Sequence, residues 1–139
     1  MGVLWEGTSN IIALDAIGRA VGKIGAHRVL ESHLSELMQM HDVEAPLREQ
    51  IQSVLTRAMD LAERVAGDGK AEIYSRQAGH VLYDVTTCSL AAIEGAQMRN
   101  AGMKDTRTRW AKVLLEQRLC PVDPFALAED SVGADELID

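Results

Sequence analysis

The sequence predicts an all-α protein: an up-and-down four-helix bundle-like domain, preceded by an N-terminal helical arm and followed by an acidic C-terminal tail. Two observations support this fold class. Aromatic residues make up only 4% of the 139 residues, so aliphatic side chains and methionine supply most of the 47% apolar content, which suits helix packing better than a sheet. Apolar residues also recur every three or four positions through most of the chain, which is the helical period.

The arm is the first predicted helix, at about 9–23. Gly18 and Gly22 weaken it but allow close packing, and Gly25 is a suitable stop because glycine adopts the backbone conformation that ends helices. Its apolar face carries Ile11, Leu14, Ile17, Ala20 and Val21.

Two further helices follow, at about 26–40 and 46–66, with Pro46 well placed at a helix start. A breaker at 67–69 (Gly-Asp-Gly) stops the third helix. The second has the apolar stripe Val29, Leu30, Leu34, Leu37 and Met38, and the third has Leu47, Ile51, Val54, Leu55, Ala58, Leu61, Ala62 and Val65.

The fourth and fifth helices are predicted at about 70–100 and 105–118. Ala101-Gly102 ends the fourth, Asp105 or Thr106 caps the fifth, and the prolines at 121 and 124 prevent continuation. The short connections favour an antiparallel bundle. The chain therefore divides into the arm region 1–25, the bundle 26–120 and the tail 121–139. The fourth helix presents Tyr74, Ala78, Val81, Leu82, Val85, Cys88, Ala92 and Ala96 on one face, and the fifth presents Trp110, Val113, Leu114 and Gln117.

Composition and charge exclude several classes of protein. A net charge of −7 argues against a general nucleic-acid binder. The longest apolar run is far too short for a membrane span, and the N-terminus lacks the features of a signal peptide. Cys88 and Cys120 have neither metal-ligand nor redox-pair spacing, so we expect reduced thiols in a cytoplasmic protein.

The most specific feature of the sequence is segment 5–12, which reads WEGTSNII. Glu6 is a carboxylate in apolar company, and desolvation of a carboxylate makes it a usable general base. Gly7 lets a ligand approach the backbone closely. One of the three polar residues that follow can cap the next helix, whose free N–H groups can face an anion or a cofactor.

Segment 5–12 resembles the aromatic-Glu-Gly-Thr-x-x-Ile segment that opens the last long helix of the acyl-CoA dehydrogenase family. With Trp5 before the glutamate and Leu14-Asp15 after it, the chain is most similar to bacterial members with a C-terminal helical extension, the alkylation-response or isovaleryl-CoA dehydrogenase-like branch. The resemblance implies an oxidoreductase, a flavoprotein that uses FAD for the α,β-dehydrogenation of an acyl-CoA thioester.

The same resemblance implies roles for five residues. Glu6 is the catalytic base that removes the α-proton, Gly7 lies beside the substrate, and Thr8, Ser9 and Asn10 contact FAD. Almost nothing of the family's other domains precedes the motif, so we expect a C-terminal fragment that does not catalyse alone. The complete enzyme would bind FAD and the acyl-CoA, and family members are commonly homo-oligomers.

The remaining polar residues favour structural interpretations. His27 and Glu31 are one turn apart and are expected to form a surface pair. His80, Tyr83 and Asp84 are expected to form a polar cluster at the core edge, with a buried trio as the alternative. No metal site is predicted. A locally basic region, interpreted as a solvated helix face rather than a phosphate-binding patch, comprises Arg99, Lys104, Arg107, Arg109, Lys112 and Arg118.

Two other functions stay open beside the dehydrogenase. The chain can be a helical oligomerisation or interaction module, and this is the function expected of it when it is alone. A nucleic-acid-associated module that uses the fifth helix is the weaker alternative, because the acidic tail would compete with phosphate.

Overall fold

The computed structural model describes residues 11–68 and 71–121, and within these ranges it contains helices and no strand. The predicted all-α fold is therefore confirmed. The helices are α1 at 11–21, whose second part Ala16–Val21 is π-helical; α2, Ala26–Met40; α3, Ala45–Gly67; α4, Ala71–Asn100; and α5, Arg107–Leu114, continued by a π-helical turn at Leu115–Leu119.

The helices end close to the glycines that the sequence predicted as stop signals. Gly25 and Gly102 have φ angles of 69° and 71°, in the left-handed region that favours glycine. Gly25 ends the turn after α1 and directly precedes α2, and Gly102 follows α4. The fifth helix begins two residues later than predicted, because the Asp105 carboxylate accepts the backbone N–H of Thr108 at 2.9 Å and so caps the first turn.

Contacts between successive helices show that they run antiparallel. The start of α2 meets the end of α3 through His27 and Glu63, while Ser35, further along α2, donates a hydrogen bond of 2.6 Å to Gln52. On α4 and α5, the Cys88 thiol donates to the Ala111 carbonyl at 3.3 Å, and Glu94, later on α4, lies 3.3 Å from Arg107, earlier on α5. This is the up-and-down arrangement that the short connections predicted.

The main core lies between α2, α3, α4 and α5. The predicted stripe of α3 is buried with the exception of Leu61, which is half-buried. The centre of α4 packs on several neighbours at once, as its small residues predicted. Side chains that are at most 2% exposed in this cluster are Leu34, Met38, Val43, Ile51, Leu55, Ala58, Met59, Val85, Cys88, Ala92, Ala96 and Ala111.

Three predicted faces are wrong in part. On α4, Tyr74 is 43% exposed, although the rest of the predicted face is buried or half-buried. Val29 is 71% exposed, and the buried face of α2 carries His27, Leu34 and Met38 instead. Trp110 is 51% exposed, and α5 buries Thr108, Ala111 and Leu115. The reason on α5 is steric, because its close approach to Gly95 of α4 admits only short side chains at that contact.

Only the first part of α1, at 11–15, is largely exposed as the predicted arm would be. Its π-helical part packs on α3 and α4, where Ile17 and Val21 form a second apolar cluster with Ala62, Val65 and Ala78. No helix in the described ranges has the length and apolarity to cross a membrane.

Candidate functional site

The predicted site residues Glu6, Gly7, Thr8, Ser9 and Asn10 lie outside the described residues. The structure begins directly after them, with α1. Ile11 and Ile12 are 68% and 62% exposed, and Leu14 is also exposed. The first described turn of α1 therefore presents Ile11 and Ile12 largely to solvent, whereas Leu14 is 36% exposed.

Beyond this exposed start, α1 is firmly held. Ile17 is fully buried, and Val21 is 7% exposed. Gly22 donates a backbone hydrogen bond of 3.0 Å to the Ile17 carbonyl, five residues earlier, which continues the wider π-helical turn. A Cβ atom on Gly22 would lie 3.4 Å from the Ala66 side chain. The same atom would lie 2.8 Å from the Gly18 carbonyl oxygen, so a side chain at Gly22 would force the turn that ends α1 to shift. The burial of Ile17 and Val21 fixes α1 relative to the bundle.

A cavity of about 460 Å³ lies where α1 ends. Its polar side chains come from different elements: Lys23 from the turn after α1, His27 and Arg28 from α2, and Glu63 from α3. Charged groups from three elements and a buried histidine converge on this cavity, so it is the candidate site that the structure itself offers.

Arg28 is the centre of an ion-pair network in this region. Its Nε and Nη2 atoms donate to the two carboxylate oxygens of Glu63 at 2.8 and 2.7 Å, a two-pronged contact. It also donates to Asp60 at 2.8 Å and to Glu31 at 2.9 Å. The pKa of Arg28 is raised by these hydrogen bonds, Glu63 first. The pKa of Glu63 is lowered to about 2, mainly by Arg28 and then by His27.

The predicted surface pair of His27 and Glu31 is wrong. The His27 side chain is only 4% exposed, and its Nε2 lies 2.8 Å from Glu63 Oε1. Glu31 instead accepts from Arg28 and, at 2.9 Å, from Thr56. Helical spacing placed the two residues on adjacent turns correctly, but tertiary packing turned His27 inward, toward α3.

A histidine–carboxylate pair is also a component of general-base sites, but this one is not arranged for catalysis. The Glu63 carboxylate is already engaged by Arg28. The second ring nitrogen of His27, Nδ1, is buried and has no hydrogen-bond partner among the described residues. Neither ring nitrogen is therefore open to a substrate, and the network instead joins α2 to α3.

A groove of about 530 Å³ lies at the opposite end of α3. Leu47, Val54 and Leu115 supply apolar lining, and Lys112 and Cys120 are among its polar residues. Cys120 is exposed, whereas Cys88 is fully buried and burial, followed by the neighbouring Cys120, raises its pKa to about 12. The predicted free thiols are present at both positions, and no nucleophile–base pair is formed around them in the described part of the chain.

The locally basic region of α4 and α5 is partly neutralised by its own chain. Arg99 pairs with Asp105 and donates to Thr108 at 2.7 Å. Arg107 lies 3.3 Å from Glu94. These pairs support a solvated helix face over a phosphate-binding patch. The acidic tail from residue 122 onward lies outside the described residues.

One alternative among the remaining polar predictions is wrong. His80 and Tyr83 are both exposed, so the alternative of a buried trio with Asp84 is wrong. Residues 11–68 and 71–121 contain no group of three His, Cys, Asp or Glu side chains that could hold a metal ion.

No family model, curated protein or solved structure matches the chain.

Proposed function

We propose that the chain is the C-terminal part of an FAD-dependent acyl-CoA dehydrogenase, with Glu6 as its base. The observation that carries the proposal is segment 5–12, which combines a carboxylate beside a tryptophan, a glycine and three capping or cofactor-facing residues within eight positions. The described structure supports it indirectly, since the motif leads into a helix whose far end is anchored in the bundle by Ile17 and Val21.

The start of α1 fits a larger surrounding structure. Ile11, Ile12 and Leu14 are exposed apolar side chains at the motif end of the helix, and clustered exposure of this kind marks surfaces that bind a partner or ligand. In the proposed enzyme, Thr8, Ser9 and Asn10 would contact FAD, and the exposed apolar side chains of α1 would face the remaining domains.

In the proposed reaction, each residue of the motif has a distinct task. The Glu6 carboxylate accepts the α-proton of the acyl thioester, and Gly7 leaves room for the thioester beside it. Bound FAD would supply the acceptor for the β-hydride. The far end of α1 is anchored in the bundle by Ile17 and Val21, and positioning of the base relative to substrate and flavin would be a large part of catalysis.

The first test is the reading frame upstream of Met1 in the source DNA. A continuous frame that encodes a helical domain and a β-domain supports the proposal, and an in-frame stop codon just upstream overturns it. In the complete enzyme, Glu6→Gln should abolish dehydrogenation and leave the FAD content unchanged. Glu36→Gln is the matched control, because Glu36 is an exposed carboxylate of α2. The 139-residue chain alone should not bind FAD stoichiometrically.

A second candidate function, a helical oligomerisation module, is favoured by a different observation. Large apolar side chains are exposed on the surface, among them Ile24 in the turn after α1, Ile73 and Tyr83 on α4 and Trp110 on α5, at 69%, 70%, 71% and 51%. The two functions are compatible, since the bundle would assemble subunits of the dehydrogenase. We also assign the chain to the cytoplasm, where two free thiols stay reduced.

A further inference from the structure

The outer face of α4 has the residue spacing of a helix–helix seam although no described helix covers it. Positions spaced alternately by three and four residues lie along one stripe of a helix. Every one of these positions on α4 is exposed except Thr87, which is half-buried. The stripe, here called the outer stripe, consists of Ile73, Arg76, His80, Tyr83, Thr87, Leu90, Glu94 and Gln97.

The middle of the outer stripe is apolar and aromatic. Tyr83 is 71% exposed and Leu90 is 45% exposed. Tyrosine is enriched at protein interfaces, because it adds a large contact area and a hydrogen-bonding group at low entropic cost. Trp110 of α5 is 51% exposed and follows Arg107, which contacts Glu94 on the stripe. Arg107 therefore lies beside the stripe, and Trp110, one turn further along α5, adds an exposed aromatic side chain on the same side.

The charges of the outer stripe are separated by sign. Its N-terminal half carries Arg76 and His80, and its C-terminal half carries Glu94. Arg76 and Glu94 are about 27 Å apart along the helix, at 1.5 Å per residue. Arg76 forms no ion pair within the described ranges, and Glu94 keeps 56% of its side chain exposed beside Arg107, so it can accept a second cation. Arg76 and Glu94 are therefore complementary to Glu94 and Arg76 of an antiparallel copy of the helix.

We propose that the outer stripe of α4 binds the same stripe of a second copy of this chain, with the two helices antiparallel. A two-fold axis at the level of Val85 places Arg76 of each copy opposite Glu94 of the other. It also places Tyr83 opposite Thr87 and Leu90 opposite His80 of the other copy, so the exposed apolar side chains are covered by polar partners of the second helix. Such an interface is isologous and closes at a dimer. The proposal does not depend on the dehydrogenase function; it rests on the second candidate function, the oligomerisation module, and names its interface.

The test is the association state of the 139-residue chain, measured by analytical ultracentrifugation over a range of concentrations. The wild-type chain should dimerise. Arg76→Glu and Glu94→Arg should each weaken dimerisation by at least about tenfold, because each places like charges at two symmetric contacts. Arg57→Glu, at an exposed arginine of α3, is the matched control and should leave dimerisation unchanged.

Mixing the two variants gives the decisive result. In a mixed dimer, the glutamate introduced at position 76 of one variant faces the arginine introduced at position 94 of the other. The unchanged Glu94 of the first faces the unchanged Arg76 of the second, so both contacts are attractive again and dimers should reappear on mixing. A wild-type chain that is monomeric at every concentration overturns the proposal. A dimer that resists both variants, or variants that fail to associate when mixed, also overturn it. Circular dichroism of each variant checks that the helices are retained.

Discussion

Gly95 of α4 lies so close to Thr108 of α5 that a side chain does not fit between them. A Cβ atom on Gly95 would be 2.7 Å from the Thr108 backbone nitrogen and 2.7 Å from the Asp105 carboxylate, which is closer than atoms of this kind approach. The glycine is therefore required for the packing of α5, and through it for the burial of Ala111 and Leu115 in the core.

Replacement of this glycine should separate the two helices. Gly95→Ala forces backbone atoms apart, and overpacking of this kind costs roughly 1–3 kcal/mol. Gly79→Ala on the same helix is the control, because its Cβ would meet only the Ala13 side chain at 3.6 Å, an ordinary contact. The control should be neutral or stabilising by up to about 1 kcal/mol, as alanine favours helices. Urea denaturation measures the free energy of unfolding of both variants. An equal change in that free energy for Gly95→Ala and Gly79→Ala would contradict the close packing of Gly95.

The cap of α5 should depend on Asp105 and not on Thr106. Asp105 accepts the Thr108 N–H, whereas Thr106 makes no side-chain cap hydrogen bond. Asp105→Ala should cost about 1 kcal/mol, and Thr106→Ala should change the free energy of unfolding much less. Burial alone would raise the pKa of Asp105, but its hydrogen bonds with Thr108 and Arg99 lower it overall. The loss of unfolding free energy caused by Asp105→Ala should therefore be smaller in acid, where the Asp105 carboxyl becomes protonated.

The contact between Glu63 and Arg28 should make the fold acid-sensitive. The pKa of Glu63 is about 2 in the folded chain, against its usual 4.5. A lowered pKa contributes stability that is fully present above 4.5 and is lost as the pH falls from 4.5 to about 2, because the unfolded chain takes up the proton first. Thermal unfolding of the wild-type chain should show this decline.

Glu63→Gln isolates that contribution. The variant should melt at a lower temperature than wild type at neutral pH, and the difference should narrow as the pH approaches the lowered pKa of Glu63, about 2. Glu36→Gln removes an exposed carboxylate of α2 that forms no ion pair in the described ranges, and it should follow the wild-type curve. If the melting temperatures of Glu63→Gln and wild type differ by the same amount at every pH, Glu63 is not the source of the acid sensitivity.

The contrast between α3 and α5 shows what the sequence could predict. The stripe of α3 has long, regular periodicity between clear stop signals, and its burial was predicted almost residue by residue. Helix α5 is short and carries a tryptophan, and its buried face is set by Gly95 on another helix. Local periodicity holds no information about that contact, so the prediction favoured the bulkiest residue and was wrong.

The polar network illustrates the same limit. Arg28 and Glu63 are separated by 35 residues, and each was predicted only as part of a helix. Their pairing depends on how two antiparallel helices align, which short-range patterns do not encode. Segment 5–12 is the opposite case, because its functional interpretation rests on adjacent residues and stays a prediction.

Core packing should distinguish two methionines that look alike in the sequence. Met59 is fully buried between the helices, and Met40 is 69% exposed at the end of α2. Met59→Ala should cost about 2–5 kcal/mol, because it removes buried apolar atoms and leaves a cavity. Met40→Ala should change the free energy of unfolding by less than about 0.5 kcal/mol. Comparable losses for the two variants in urea denaturation would contradict the described core.

The two thiols should differ sharply in reactivity. Cys88 is fully buried, and burial together with neighbouring Cys120 raises its pKa to about 12, so little reactive thiolate forms at neutral pH. Cys120 is exposed on the groove. A thiol reagent should therefore modify one cysteine per native chain and two per unfolded chain, counted by intact mass. Cys120→Ser should leave the native chain unmodified, so that slow labelling of Cys88 reports opening of the core. Rapid modification of two cysteines in the native chain would show that α5 does not cover Cys88.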